Sequence, residues 1–194
     1  MSLDRPDEES FDGRDLSVAI VAARFNPRMV DGLLRHCRQV LVENNVSEER
    51  IEVVRVPGSN EIPYAVGMLA NSGQFDVIVG LGLVMAGETP HHEVIADSTG
   101  MMLQQIAVSS EIPVINGIVV VHTEAQAEAR CLGEINRGRE FGLAALEMGV
   151  LGQHLVDNLN DMDAALGDLG AFDEESGPEF WEGFGEKGDN PWKL

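Results

Sequence analysis

The stretch Val77–Met85, VIVGLGLVM, limits what this chain can fold into more than any other. It is uncharged and rich in Val and Leu, and it reads as a strand buried on both faces. A strand covered on both sides belongs in a parallel sheet with helices above and below. The run breaks at Gly87 and restarts as a helix opening with Glu88, Thr89, His91 and His92. In open parallel α/β sheets the ligand sits beyond the carboxyl ends of the strands, at such strand–turn–helix junctions. Unpaired N–H groups at a helix start favour an anion. Thr89 adds a hydroxyl, and His91 can carry a proton near neutral pH. An anion seat beside a proton carrier makes this the first place to look for chemistry.

The same alternation runs through the chain. Residues 16–23 form an apolar strand, followed by Arg24-Phe25-Asn26 and stopped by Pro27. A helix is predicted over 29–45, where Val30, Leu33, Leu34, Cys37, Val40 and Leu41 recur at helical spacing. Residues 51–56 form the second strand, and Pro57-Gly58 turns the chain. Ser59-Asn60-Glu61-Ile62-Pro63 opens the next helix, to about Asn71, with Ser59 as its cap and Pro63 in the first turn. The third strand spans 77–85 and its helix 91–108; the fourth strand spans 113–121. A short helical piece at 124–131 and a last helix over 138–155 complete the pattern. Strands alternating with helices give an α/β fold, a parallel sheet with right-handed crossovers.

Composition divides the chain into three parts. Residues 1–15 are charged and unpatterned, a mobile acidic arm. Residues 16–157 carry the strand–helix alternation and form one domain. Residues 158–194 are rich in Asp, Glu and Gly and read as a disordered acidic tail, although they carry Phe172, Phe180, Trp181, Phe184 and Trp192. The formal charge of −20 argues against nucleic acid or an anionic membrane as partner. Cys37 and Cys131 fit a reduced compartment. With no signal peptide and no apolar run near the roughly 20 residues of a span, a cytoplasmic location is expected.

Polar groups cluster just past each strand. Phe25 offers a ring to stack on an aromatic ligand; singly, it could be an ordinary core residue. Asn60 and Glu61 offer hydrogen bonds to hydroxyls, or simply a cap. Arg130 offers a planar fork for phosphate, or is a solvated helix charge. Adjacent helical residues point about 100° apart, so one of His91 and His92 can face a pocket as acid or base, and no metal site is expected. Gly80-Leu81-Gly82 lies within a strand and lacks the third glycine of a dinucleotide loop.

Five segments, in order, resemble lumazine synthase, the penultimate enzyme of riboflavin biosynthesis. They are Arg24-Phe25-Asn26; Val56-Pro57-Gly58-Ser59-Asn60-Glu61-Ile62-Pro63; Gly87-Glu88-Thr89-Pro90-His91; Gln126-Ala127-Glu128-Ala129-Arg130; and Asn136-Arg137-Gly138 with Ala144-Ala145-Leu146-Glu147-Met148. The likeness covers about 16–155. It implies a flavodoxin-like three-layer αβα sandwich with a four-stranded parallel sheet. It implies pentamers or multiples of pentamers, with each active site between two subunits. The implied reaction joins 5-amino-6-(D-ribitylamino)uracil to 3,4-dihydroxy-2-butanone 4-phosphate, giving 6,7-dimethyl-8-ribityllumazine, phosphate and water, with no metal or organic cofactor.

On this resemblance Phe25 stacks on the pyrimidine, and Ser59, Asn60 and Glu61 hold the ribityl chain. Leu83, Val84 and Met85 meet the pyrimidine edge through backbone. Glu88, Thr89 and Arg130 hold the phosphate, and His91 is the catalytic proton carrier. Five places depart from the family pattern. Asn116 stands where a Phe from the neighbouring subunit is usual, His92 where an aromatic is usual, Val120-Val121 where Thr-Thr is usual, Asn60 where a bulky residue is common, and Glu134 where a basic residue four positions after the Arg is usual. The aromatics of the tail suggest docking, either on a neighbouring subunit or on the next enzyme, riboflavin synthase; the alternative is an inert acidic extension. Two other readings compete: a non-catalytic lumazine- or flavin-binding or shell-forming paralogue, and a flavodoxin-like electron carrier. The second lacks the Ser/Thr/Gly-rich loop after its first strand.

Overall fold

The computed structural model describes residues 11–170, with side chains through Met162. The chain divides into two compact units, residues 1–155 and 156–194. The first contains a four-stranded sheet built from β1 (Val18–Ala23), β2 (Ile51–Val56), β3 (Val77–Met85) and β4 (Val114–Val121). Its helices are α1 (Pro27–Glu43), α2 (Ile62–Ala70), α3 (His91–Ser110) and α4 (Glu124–Cys131), followed by α5 (Arg137–Gly170). The strand order is β2-β1-β3-β4, and all three pairings are parallel. This is the flavodoxin-like order, in which the chain reverses direction across the sheet between β1 and β3.

Burial follows from that position. Every residue of β1 is buried, and so is all of β3 except Met85. Successive side chains of a strand point to opposite faces. Thus Val18, Ile20 and Ala22 join the core under α1, α4 and α5, while Ala19, Val21 and Ala23 join the core under α2 and α3. The outer strand β4 is only half covered.

Helix starts and stops follow local chemistry. Asn26 adopts a left-handed conformation (φ 55°), and Pro27 lies in the first turn of α1, where its missing N–H costs nothing. The proline that ends the first strand therefore also starts the helix, two residues earlier than the hydrophobic spacing indicates. Thr123 caps α4 by accepting from the Gln126 N–H at 3.2 Å. Ser59 does not cap α2 as its type suggests. It sits in a single 3₁₀ turn, Ser59–Glu61, and Glu61 occupies the cap position without a side-chain cap bond. Instead, the Glu61 carboxylate reaches back to accept the Gly58 N–H at 2.8 Å.

The fifth helix also differs from its expected end. It continues past Leu155 to Gly170, so residues 158–170, which composition assigns to an unstructured tail, are helical. The stretch has no proline, and its Leu, Met and Ala residues favour helix. Of the second unit, residues 156–170 are described, as part of this helix. The expected arm lies largely, and the aromatic part of the tail entirely, outside the described residues. No described helix is long and apolar enough to cross a membrane.

Helix α5 lies backbone-close to α1 through Gly138 and Gly142, one turn apart. A Cβ on Gly138 would stand 2.5 Å from the Leu33 carbonyl oxygen and 2.9 Å from the His36 Cβ; one on Gly142 would stand 2.9 Å from the Cys37 carbonyl oxygen. Backbone atoms cannot swing aside, so α5 must retreat if either glycine gains a side chain. Gly138→Ala is expected to lower stability by about 1–3 kcal/mol, the usual cost of overpacking, read as a lower denaturant midpoint at unchanged slope. An unchanged midpoint would show that α5 yields freely.

Candidate active site

Because all strands run parallel, the segments after them emerge at one end of the sheet. Hydrogen bonds continue the ladder past the strand ends and fix those segments side by side. Arg24 N–H donates to the Val56 carbonyl at 2.8 Å, Phe25 N–H to the Pro57 carbonyl at 3.1 Å, and Ala86 N–H to the Val121 carbonyl at 2.8 Å. The Asn26 side-chain amide donates to the Leu83 carbonyl at 3.3 Å, tying the loop after β1 to β3. The chain-reversal point between β1 and β3, where ligands of such sheets bind, is thus flanked by 24–26, 57–61 and 83–86.

The fold brings several expected residues together there. Phe25 projects with 72% of its surface exposed. That exposure rules out the core reading of this ring. Asn60 and Glu61 are exposed beside it on the next loop, and the Asn60 amide lies 3.5 Å from the second Glu61 oxygen. Leu83 and Val84 are buried, so only their backbone can meet a ligand, while the Met85 side chain is partly open.

Ser59 is buried, and its hydroxyl has no hydrogen-bond partner. It lies against Gly82, where an added Cβ would come within 2.5 Å of the Ser59 oxygen. Gly82 thus works as a gap in β3 that admits the serine, which is the usual meaning of glycine inside a strand.

The segment after β3 is Ala86 to Pro90, and α3 begins at His91. Pro90 has no N–H, and its carbonyl accepts the N–H groups of Glu93 and Val94. The N–H groups of His91 and His92 make no backbone hydrogen bond among the described residues, which leaves an anion-favouring end. Glu88, Thr89 and His91 are exposed. His92 turns inward, with 13% of its side chain exposed.

Two expected residues stand apart from this cluster. Arg130, on α4, hydrogen-bonds back to the Gln126 carbonyl of its own helix at 3.3 Å. Asn116 pairs with Gly80 in mid-strand, while Val121 pairs with Met85 at the end. At the strand rise this puts Asn116 roughly 16 Å short of the site end.

Asn26, Gly82 and His122 are missing from the set of site residues that sequence alone singles out. Their signals are faint: an Asn able to adopt positive φ before a proline, a glycine within a strand, and the first polar residue after β4.

Electrostatics narrow the candidates. No Lys or Arg occurs between Arg55 and Arg130. The loops at 57–61 and 86–91 therefore present carboxylates, backbone N–H groups and imidazoles. Arg28 is engaged by Glu128 at 2.6 Å, and Arg55 by Asp31 at 2.7 Å. Burial pushes the Cys37 thiol up to about 12 and the Cys131 thiol to about 11, the latter opposed by Arg130, so neither is a nucleophile at neutral pH. Among the described residues no group of three or more His, Cys, Asp or Glu side chains could hold a metal ion.

Comparison with known proteins gives the family. The family model described as 6,7-dimethyl-8-ribityllumazine synthase matches residues 15–153. A protein of that name from Polaromonas sp. is 36% identical over 151 residues, covering 78% of this chain and 94% of its own length. One from Xanthomonas oryzae pv. oryzae is 43% identical over 131 residues, 67% of this chain and 85% of its own. One from Cupriavidus metallidurans is 40% identical over 144 residues, 74% of this chain and 83% of its own. With all four strands, helices α1 to α4 and every post-strand segment inside the matched region, this chain belongs to the 6,7-dimethyl-8-ribityllumazine synthase family.

Proposed function

We propose that this protein condenses 5-amino-6-(D-ribitylamino)uracil with 3,4-dihydroxy-2-butanone 4-phosphate to give 6,7-dimethyl-8-ribityllumazine, phosphate and water. The observation that carries the reading is the ladder of hydrogen bonds that sets an exposed Phe25 beside 57–61 and the open backbone end of β3. Phe25 stacks on the pyrimidine. The Glu61 carboxylate and Asn60 amide take ribityl hydroxyls, and a ribityl oxygen gives the unpartnered Ser59 hydroxyl its missing bond. Leu83, Val84 and Met85 read the pyrimidine edge through backbone. Glu88 and Thr89, with the unpaired N–H groups at the start of α3, seat the phosphate, and Arg130 swings from Gln126 to complete the seat.

The chemistry needs few groups. The uracil amine attacks the ketone, and loss of water from the adduct forms the imine. A proton then leaves the neighbouring carbon, phosphate departs, and ring closure releases a second water. His91 moves these protons, and the site holds both substrates together. The non-catalytic paralogue is the weaker reading, because a container has no use for an imidazole at an anion seat.

Mixing both substrates with the protein is expected to produce lumazine absorbance and free phosphate together. In that assay His91→Ala is expected to slow turnover by roughly 10- to 1000-fold and His92→Ala by less, since general acid–base groups contribute about 10²–10⁴ and proximity survives. Arg130→Ala is expected to raise the KM for the phosphorylated ketone, with Lys only partly restoring it. Equal losses at His91 and His92, or a KM rise confined to the uracil, would overturn these assignments.

We also propose a homopentamer, or a multiple of pentamers, in the cytoplasm. Asn116 is too far from its own chain's site to serve it, and its place on an exposed outer strand suits service to a neighbour's. Tyr64, Met68, Met101 and Val108 leave much apolar surface open on α2 and α3, more than a lone domain usually shows as single scattered residues. Light scattering is expected to give a mass of five subunits or a multiple; an active monomer at micromolar concentration would end the claim.

The segment after Asp157 is assigned as dispensable for chemistry and as a docking segment, for a neighbouring subunit or a partner such as riboflavin synthase, on the strength of the aromatics it carries after Gly170 in an acidic background. Truncation there should leave turnover intact and abolish co-migration with riboflavin synthase. Unchanged co-migration would refute the docking role.

A further inference from the structure

His92 and His122 are the described imidazoles closest to the anion seat that the proposed chemistry does not use. His92 Nδ1 lies 3.0 Å from the Thr89 carbonyl oxygen. A carbonyl can only accept, so Nδ1 carries the proton and donates. No backbone N–H among the described residues takes that carbonyl. The Thr89–Pro90 peptide has no N–H of its own, so this one bond fixes the plane of the peptide through which the chain enters α3.

The His92 ring also meets that of His122. Their centroids are 6.3 Å apart and their planes cross at 82°, an edge-to-face pair. The Glu93 carboxylate lies 3.9 Å from His92 Nε2.

His122 is itself held. It is the first residue after β4, and its N–H donates to the Gln126 side-chain oxygen at 2.9 Å. The Gln126 N–H in turn donates to the Thr123 hydroxyl that caps α4. One residue earlier, the Val121 carbonyl accepts the Ala86 N–H at 2.8 Å. The start of α4 and the end of β4 are therefore tied to each other and to Ala86, and His122 stands at that junction.

We propose that His122 and His92 are positioning residues for the phosphate of the substrate. His122 holds the His92 ring edge-on, and His92 holds the Thr89 carbonyl back. The Thr89 hydroxyl and the free N–H groups of α3 are thereby kept in place for the anion. Neither imidazole touches the reacting atoms. The inference rests on the reading of 88–91 as a phosphate seat.

Shape and hydrogen bonding divide the two roles, and four variants of the full-length protein separate them. Inorganic phosphate is titrated into each variant by calorimetry, and both substrate KM values and kcat are measured. His122→Ala is expected to weaken phosphate binding, and to raise the KM for the phosphorylated ketone, by about 3- to 10-fold, the scale of one edge-to-face contact. The KM for the uracil and kcat should stay within about twofold. His122→Phe keeps an edge and should restore binding. His92→Phe keeps the ring but loses the donor, and His92→Ala loses both; each should weaken phosphate at least as much as His122→Ala.

Equal loss in His122→Ala and His122→Phe would mean that the imidazole itself meets the anion, and would overturn the bracing role. Wild-type phosphate affinity in His92→Phe would overturn the Thr89 hydrogen bond as the link. No phosphate binding by the unaltered protein would overturn the seat. If phosphate binds as expected but no lumazine forms, the functional reading fails while the bracing inference stands.

Discussion

The parallel pairing of β1 with β2 on one side and β3 on the other is the constraint on which the rest depends. A strand with neighbours on both edges and helices on both faces has no exposed side chain, and β1 has none. It also has no freedom of register, since a slip by one residue would exchange the two cores that Val18, Ile20 and Ala22, and Ala19, Val21 and Ala23, fill. Fixed register fixes the strand ends. Arg24 and Phe25 continue the ladder onto Val56 and Pro57, so the position of an exposed ring at the surface is set by a dry core beneath it.

Rigidity at this end of the sheet is local. Asn26 ties the first loop to β3, and Glu61 ties the second loop to itself through Gly58. The 86–90 segment has fewer bonds, and its last peptide is held from the side by His92. The phosphate seat proposed for this segment gains from this. Its donors must already face the anion when it arrives, because fixed dipoles cost no reorganisation during reaction. The strongly acidic chain makes such fixed donors more important, since the loops at 57–61 and 86–91 contain no Lys or Arg of their own.

Glycine reports packing at two levels. Gly82 opens space in β3 for Ser59, and Gly138 with Gly142 lets α5 lie on α1. The first shapes the site; the second holds together the layer that covers the opposite side of the sheet. In neither case is conformational freedom the reason, because neither site has a positive φ. The absence of a Cβ is what the structure uses.

The strand–helix alternation, the parallel sheet and the family were legible in the sequence because they depend on local chemistry: β-branched runs, proline and glycine breaks, and short polar motifs. The bounds of β3 and the start of α3 at His91 follow from those signals. Phe25, Glu61 and Thr89 could be placed at strand ends for the same reason. What the sequence left open turns on contacts between distant segments. Ser59 reads as a helix cap until Gly82 is seen to bury it, and Glu61 takes the backbone partner instead. His92 and His122 are thirty positions apart in the chain and meet only because β3 and β4 are neighbours in the sheet. Residues 158–170 have tail-like composition yet are helical, because acidic residues do not break a helix and Leu, Met and Ala favour it. Local patterning determined which elements form and what chemistry their ends can offer; the strand order and close backbone approach decided which of those groups stand together.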